Sequence, residues 1–121
     1  MMRRLLASCW KEKKIERHIR EMCAKKRFHF TRHAIDECFS EPEPIEPEEV
    51  IEALAKCAEV IEDYRDDPRG HSCLVLTFES GKEDKPLHVL VGLRDPRTII
   101  VITVYRPDPT LWSSDWKKRR W

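Results

Sequence analysis

Residues 87–107 read LHVLVGLRDPRTIIVITVYRP, and this stretch limits the fold more than any other. Two runs of strand-forming residues flank Asp95-Pro96-Arg97-Thr98, where proline at the second position presets φ for a type I turn. A two- or four-residue loop pairs Arg94 with Ile99, Gly92 with Val101, Leu90 with Thr103 and His88 with Tyr105. A three- or five-residue loop reverses that parity. Side chains alternate across a strand, so the even-loop hairpin has two faces. Leu87, Val89, Val91, Leu93, Ile100, Ile102 and Val104 make one wholly apolar face, a core face. The other collects His88, Arg94, Thr103 and Tyr105 among Leu90, Gly92, Ile99 and Val101: an imidazole, a guanidinium, a hydroxyl and a phenol on one sheet surface.

The preceding sequence supplies what covers the apolar face. Ile15, Ile19, Met22 and Cys23 recur at helical spacing, and Leu5, Leu6 and Cys9 continue a related stripe, predicting a helix over 3–26. Phe28, His29 and Phe30 form a short extended piece, and Thr31 is placed to cap a second helix with Ala34, Ile35, Cys38 and Phe39 on its apolar side. That helix ends by Pro42. Pro47, Glu48 and Glu49 open a third, which buries Val50, Ile51, Leu54, Ala55 and Ala58. Strands are predicted at 59–64, 73–78, 87–94 and 98–106. Helices followed by a meander argue an α+β domain, its helices packed on one face of a four-stranded antiparallel sheet and the other face open. The chain divides into a basic amphipathic helix (1–27), the α+β unit (28–112) and a basic aromatic tail (113–121), with Trp112, just before the tail, expected to anchor its fold-back.

A net charge of +1 conceals segregation. Ten Lys or Arg stand against three acids over residues 1–28, and thirteen acids against Lys56 and Arg65 over residues 34–67. Lys117, Lys118, Arg119 and Arg120 then return the chain to basic. Such asymmetry suits either a polyanion bound at the basic ends or pairing of the ends with the middle. Five cysteines at irregular spacing, without a CxxC pair, read as reduced thiols of a cytoplasmic protein, mostly small core hydrophobes rather than zinc ligands. No run is apolar enough to span a membrane, and three glycines leave no phosphate-binding loop.

Five ordered blocks carry a resemblance: residues 28–34 (FHFTRHA), 47–54 (PEEVIEAL), 60–64 (VIEDY), 87–91 (LHVLV) and 102–109 (ITVYRPDP), with Trp112 after them. Together they resemble the domain of unknown function 4258 family, grouped with a fold shared by barnase and RelE-like toxins. The resemblance implies a metal-independent endoribonuclease without cofactor, acting on RNA, held by an antitoxin protein, and monomeric or homodimeric. The family often carries arginines in a pattern like HAxxRMxxR, whereas here Glu37 and Glu41 occupy those places. RNA cleavage by 2′-OH attack needs a base, a cation for the phosphorane and an acid for the leaving oxygen. His33 and His88 suit the proton roles, Arg94 the charge, and Thr103 and Tyr105 the positioning of phosphate or base. Arg32, Arg106, Lys117, Lys118, Arg119 and Arg120 are the candidate backbone contacts. The alternative is a non-catalytic module of the same fold that binds nucleic acid or protein.

Overall fold

The computed structural model describes the backbone of residues 2–121 and the side chains from residue 13 onward. The expected stripe at Leu5, Leu6 and Cys9 therefore lies outside the described side chains. Helix α1 (Met2–Ala24) is followed by strand β1 (Phe28–Phe30), α2 (Arg32–Ser40), α3 (Pro47–Lys56), β2 (Glu59–Tyr64), β3 (Ser72–Phe78), β4 (Pro86–Gly92) and β5 (Ile99–Tyr105). A 3-10 turn, Glu79–Gly81, links β3 to β4.

The sheet has five strands, ordered β1-β5-β4-β3-β2, so the expected four-stranded meander gains a strand. The short Phe28–Phe30 piece runs parallel to the first half of β5, pairing Phe28 with Ile99 and Phe30 with Val101, which makes the sheet mixed rather than antiparallel. Three residues with no turn signal of their own carry no information about a partner 71 positions away, so periodicity could not place them.

The hairpin adopts both parities at once. His88 faces Tyr105 and Leu90 faces Thr103 as expected, but Val91 then faces Val101 and Gly92 faces Ile100. One residue of β5, Ile102, is extra, and beyond this bulge the strand turns over. Ile99 and Val101 are buried in the core, while Ile100 and Ile102, expected there, lie half-buried on the opposite face. Residues 99–102 are all apolar, so no alternation in that run marks which side faces the core. The bulge is secured by Thr31, whose hydroxyl donates to the Ile102 carbonyl at 3.1 Å and accepts from the Ala34 amide at 3.1 Å. One side chain thus caps α2 and fastens it to β5.

The helices cover the core face, where α1 packs on α3 and both lean on the sheet. Ile19, Met22 and Cys23 of α1, Ala34 and Cys38 of α2, and Val50, Ile51 and Leu54 of α3 meet Leu87, Val89, Val91, Val101 and Val104 of the sheet. Cys23, Cys38 and Cys73 are buried free thiols, and burial pushes each above the ordinary cysteine range.

Past Phe30, β5 has no strand on its outer side, and α2 supplies acceptors instead. Glu37 Oε1 accepts the Val104 amide at 3.1 Å and Glu41 Oε1 the Arg106 amide at 3.2 Å. Four residues of helix advance about 6 Å and two of strand about 6.6 Å, so carboxylates at i and i+4 match amides at j and j+2. The acids standing where the family pattern places arginines are thus part of the sheet edge. Glu37→Ala and Glu41→Ala should each lower stability by about 1.5 kcal/mol, the scale for a hydrogen bond to a charged group. Urea denaturation checks this, and losses below ~0.5 kcal/mol would show the amides to be satisfied by water.

Candidate functional site: the polar sheet face and its strap

Strand pairing lays the face away from the helices out in rows. Glu59, Leu76, His88 and Tyr105 form one row; Glu62, Leu74, Leu90 and Thr103 the next; Tyr64, Ser72, Gly92 and Ile100 the third. A second bulge, between Val60 and Glu62, keeps Glu59 and Glu62 on the same face although three positions separate them.

This face is not open along its length. The tail folds back over the first two rows, in keeping with the expectation for Trp112, which is 3% exposed. The tail is shaped by its own bonds: the Ser113 amide donates to the Lys118 carbonyl at 2.7 Å, Trp116 turns at φ 69°, and Trp112 and Arg119 form an isolated β-bridge. It is held to the sheet by the burial of Trp112 and by charge. Lys117 meets Glu59 at 3.0 Å, and Arg119 grips Glu62 through two bonds, Nε to Oε2 at 2.8 Å and Nη2 to Oε1 at 2.9 Å. The Arg119 guanidinium also lies over the rings of Trp112 and Trp121, 4.8 and 5.2 Å from their centroids. Of the two readings of the charge segregation, the structure shows the pairing of the tail with the acidic middle.

His88 lies beneath this strap, fully buried. Its Nε2 is 2.8 Å from the Trp116 carbonyl, which only accepts, so Nε2 carries the proton and Nδ1 accepts from the Tyr105 hydroxyl at 3.1 Å. Trp112 sets its ring edge-on to the imidazole at 4.3 Å, and Tyr105 does so at 5.2 Å. Burial holds the imidazole below its ordinary value, with Arg119 acting in the same direction and the Trp116 carbonyl and Glu62 opposing. Tyr105, also through burial, is pushed up to about 12. Glu62 is held below the usual carboxylate range, first by its bonds from Arg119 and then by the Tyr64 hydroxyl that it accepts.

The third row, buried at Ser72 and Gly92 and half-buried at Ile100, borders a cavity of about 320 Å³. Leu90, Gly92, Ile100 and Ile102 floor it, and His71 and Arg94 stand at its rim. His71 is bonded to Asp63 at 2.5 Å. The Arg94 stem crosses Gly70, where φ is +113° and a Cβ would come within 2.9 Å of the arginine Cδ, so glycine is required on both counts.

The structure therefore brings together His88, Tyr105 and, one row away, Thr103. Arg94 lies at the far end of the same face. His33 is on α2, its side chain 68% exposed and 3.3 Å from Glu37, and among the described residues no bond or ring contact joins it to His88. Arg32 is exposed beside it. Arg106 is committed elsewhere: its Nε and Nη2 bond the Glu79 carboxylate at 3.0 and 3.1 Å and its Nη1 the Glu43 carbonyl at 2.6 Å. Lys117 and Arg119 hold the strap, and Arg120 bonds the carbonyls of Pro109 and Trp112 at 3.0 and 2.5 Å. Lys118 is exposed. Sequence reasoning missed Glu59 and Glu62, because the bulge at Ile61 breaks their alternation. The usable signal was an acidic strand and a basic tail of matching length.

Among the described residues no group of three or more His, Cys, Asp or Glu is placed to hold a metal ion, and no helix is long and apolar enough to cross a membrane. The molecule is an α+β domain with three helices on one face of a mixed sheet and its own C-terminus strapped over the other. The family described as domain of unknown function (DUF4258) matches residues 30–106, and the chain belongs to that family. The match begins on the last residue of β1 and ends at the Arg106 clasp, so α1 and the strap lie outside it. No curated protein and no solved structure matches the chain.

Proposed function

We propose that this chain is a toxin-like endoribonuclease, cleaving RNA by 2′-OH attack without a metal, and that its site is the sheet face under and beside the strap. The observation that carries the reading is the juxtaposition of His88, Tyr105 and Glu62 on one sheet face, beside a cavity lined in part by Arg94. Proton removal requires an ionised carboxylate, the state in which Glu62 is held, and proton return requires an imidazolium, which His88 becomes when the strap no longer buries it. In this scheme Glu62, released from Arg119, takes the ribose 2′-OH proton. The oxygen attacks the adjacent phosphorus and the bond to the 5′-oxygen breaks. His88, protonated on both ring nitrogens once the strap has left it open to water, passes its Nε2 proton to that leaving oxygen and is left as neutral imidazole. Tyr105 orients the imidazole through Nδ1, Thr103 positions a phosphate oxygen, and Arg94 binds the neighbouring phosphate beside the cavity. His33 has no contact with this face and takes no part. The products carry 2′,3′-cyclic phosphate ends.

The test is cleavage of a mixed RNA in EDTA. It compares the wild type, a strap-opened Lys117→Glu/Arg119→Glu variant, and that variant with His88→Ala. Cyclic-phosphate ends are expected, more from the opened variant, with a loss of at least about 100-fold on removing His88. The alternative, a binding module, is favoured by the occupancy of both His88 ring nitrogens. RNA bound without cleavage by folded wild type and opened variant alike would establish it.

A further inference from the structure

The strap has a property that the proposed activity does not require. Its attachment to the sheet combines the buried Trp112 with exposed or half-exposed ion pairs, and the cations in those pairs belong to the most basic run of the chain. Lys117 and its partner Glu59 are each 44% exposed, and Arg119 is 40% exposed against 23% for Glu62. Pairs this open to water contribute little to stability, so exchanging carboxylate partners for phosphates is close to even. A chain of phosphates adds release of its own counterions as lysine and arginine neutralise it. Lys118, exposed between the two paired cations, and Arg120 just beyond them extend the basic run that such a chain would meet.

Among the described residues the strap is also attached through the Trp116 carbonyl on His88 Nε2, the Trp112 ring against the imidazole and the Arg119 guanidinium at the Tyr64 hydroxyl. The strap adds no strand to the five-stranded sheet, its hairpin shape comes from bonds within itself, and Trp121 beyond it is 69% exposed. It can therefore leave as a unit without breaking a ladder of backbone bonds. Its departure uncovers Glu59, Glu62 and His88 together, a row apart from the cavity already open.

We propose that residues 112–121 form a strap operated by polyanions: closed on Glu59, Glu62 and His88 in the free protein, open when Lys117, Lys118, Arg119 and Arg120 pair with a chain of phosphates. Where the polyanion is RNA, this rests on the functional reading above and makes the substrate the agent that unlocks its own site.

The experiment follows His88 by NMR in the full chain at low salt, adding either inorganic polyphosphate or a short single-stranded oligoribonucleotide. In the closed state the imidazole titrates below its ordinary range and its Nε2 proton is protected from exchange. Saturating polyanion should return the titration to the ordinary histidine range and abolish the protection. Apparent affinity should fall with salt at a logarithmic slope of about −3 for four cations on a single strand. Lys117→Glu/Arg119→Glu should be open with no ligand, and adding Glu59→Lys and Glu62→Arg should close it again with the pairs reversed. Opening by both ligands assigns the strap to phosphate chains in general, and opening by RNA alone assigns it to nucleic acid. A His88 that stays buried at saturation with either ligand, or is already exposed in the free wild type, overturns the proposal. Opening without cleavage leaves the strap intact as an inference and removes only the ribonuclease.

Discussion

Arg106→Ala is expected to destabilise the domain by about 3 kcal/mol without weakening the proposed binding of RNA. Arg106 binds Glu79 through two charge-assisted bonds and also the Glu43 carbonyl, and Glu41 lies 3.8 Å from its Nη1. Glu79 is only 7% exposed, so removing its partner leaves a carboxylate in the interior with little access to water. Breaking such a pair from one side costs about 3–5 kcal/mol, and the 27% exposure of the arginine argues for the low end. Replacing both partners, as Arg106→Met with Glu79→Leu, should recover most of the loss, since a well-packed apolar pair avoids the desolvation penalty. Urea denaturation of the two single variants and the double variant measures the coupling. A variant that keeps its stability but loses RNA affinity would restore Arg106 to the phosphate-binding role that its basic context suggests in sequence.

Trp112→Ala should remove about 3 kcal/mol, the lower end for truncating a buried tryptophan, and change how the protein responds to acid. The loss is bounded, because a strap that cannot dock can detach while the sheet and helices remain. His88 is held neutral by burial, with Tyr105 of β5, Glu62 of β2 and Arg119 of the strap as the ionisable groups facing it. Its folded-state value lies below the ordinary 6.5, so the unfolded chain takes up the proton first. The contribution of the neutral imidazole is therefore complete above that ordinary value and is lost as pH falls from there toward the folded value. In Trp112→Ala the imidazole meets water, and this part of the acid sensitivity should vanish. Melting temperatures of both proteins from about pH 8 to pH 5 show it as a steeper fall below ~6.5 for the wild type only. Parallel curves would mean that Trp112 does not keep water from His88.

Much of the architecture can be read from residue pattern, and the failures have physical causes. Thr31 announces its cap because a hydroxyl before a helical stripe has few other uses. Strand β2 falls on its expected residues, whereas His88 pairs with Tyr105 as expected only because the extra residue Ile102 restores a register that the turn itself does not set. Ile102 is different. A bulge in a run of four apolar residues exchanges one acceptable burial pattern for another, and what decides is Thr31, which needs that carbonyl. The strap is a third kind of case. Trp112 and the basic run are visible in sequence, but their target is Glu59 and Glu62, whose common face depends on a second bulge. The candidate site was thus half legible: the residues on β4 and β5 from alternation, and those on β2 and the tail only once two bulges and a fold-back had brought them together.

The carboxylates at the rim of the sheet have a consequence of another kind. Glu37 and Glu41 occupy amides along β5, and at the opposite margin Glu16 of α1 accepts the Val60 amide at 2.8 Å. A β-sheet grows by recruiting a neighbour to its outermost strand, and that recruitment starts from unmet N–H groups. Here helices on both flanks have filled such positions with side chains that cannot propagate a ladder. Crowding the molecules together offers few starting points for strand-to-strand polymerisation, and another polypeptide has little at these margins to extend. The Val60, Val104 and Arg106 amides are thus closed to a neighbouring strand by side chains of the protein's own helices.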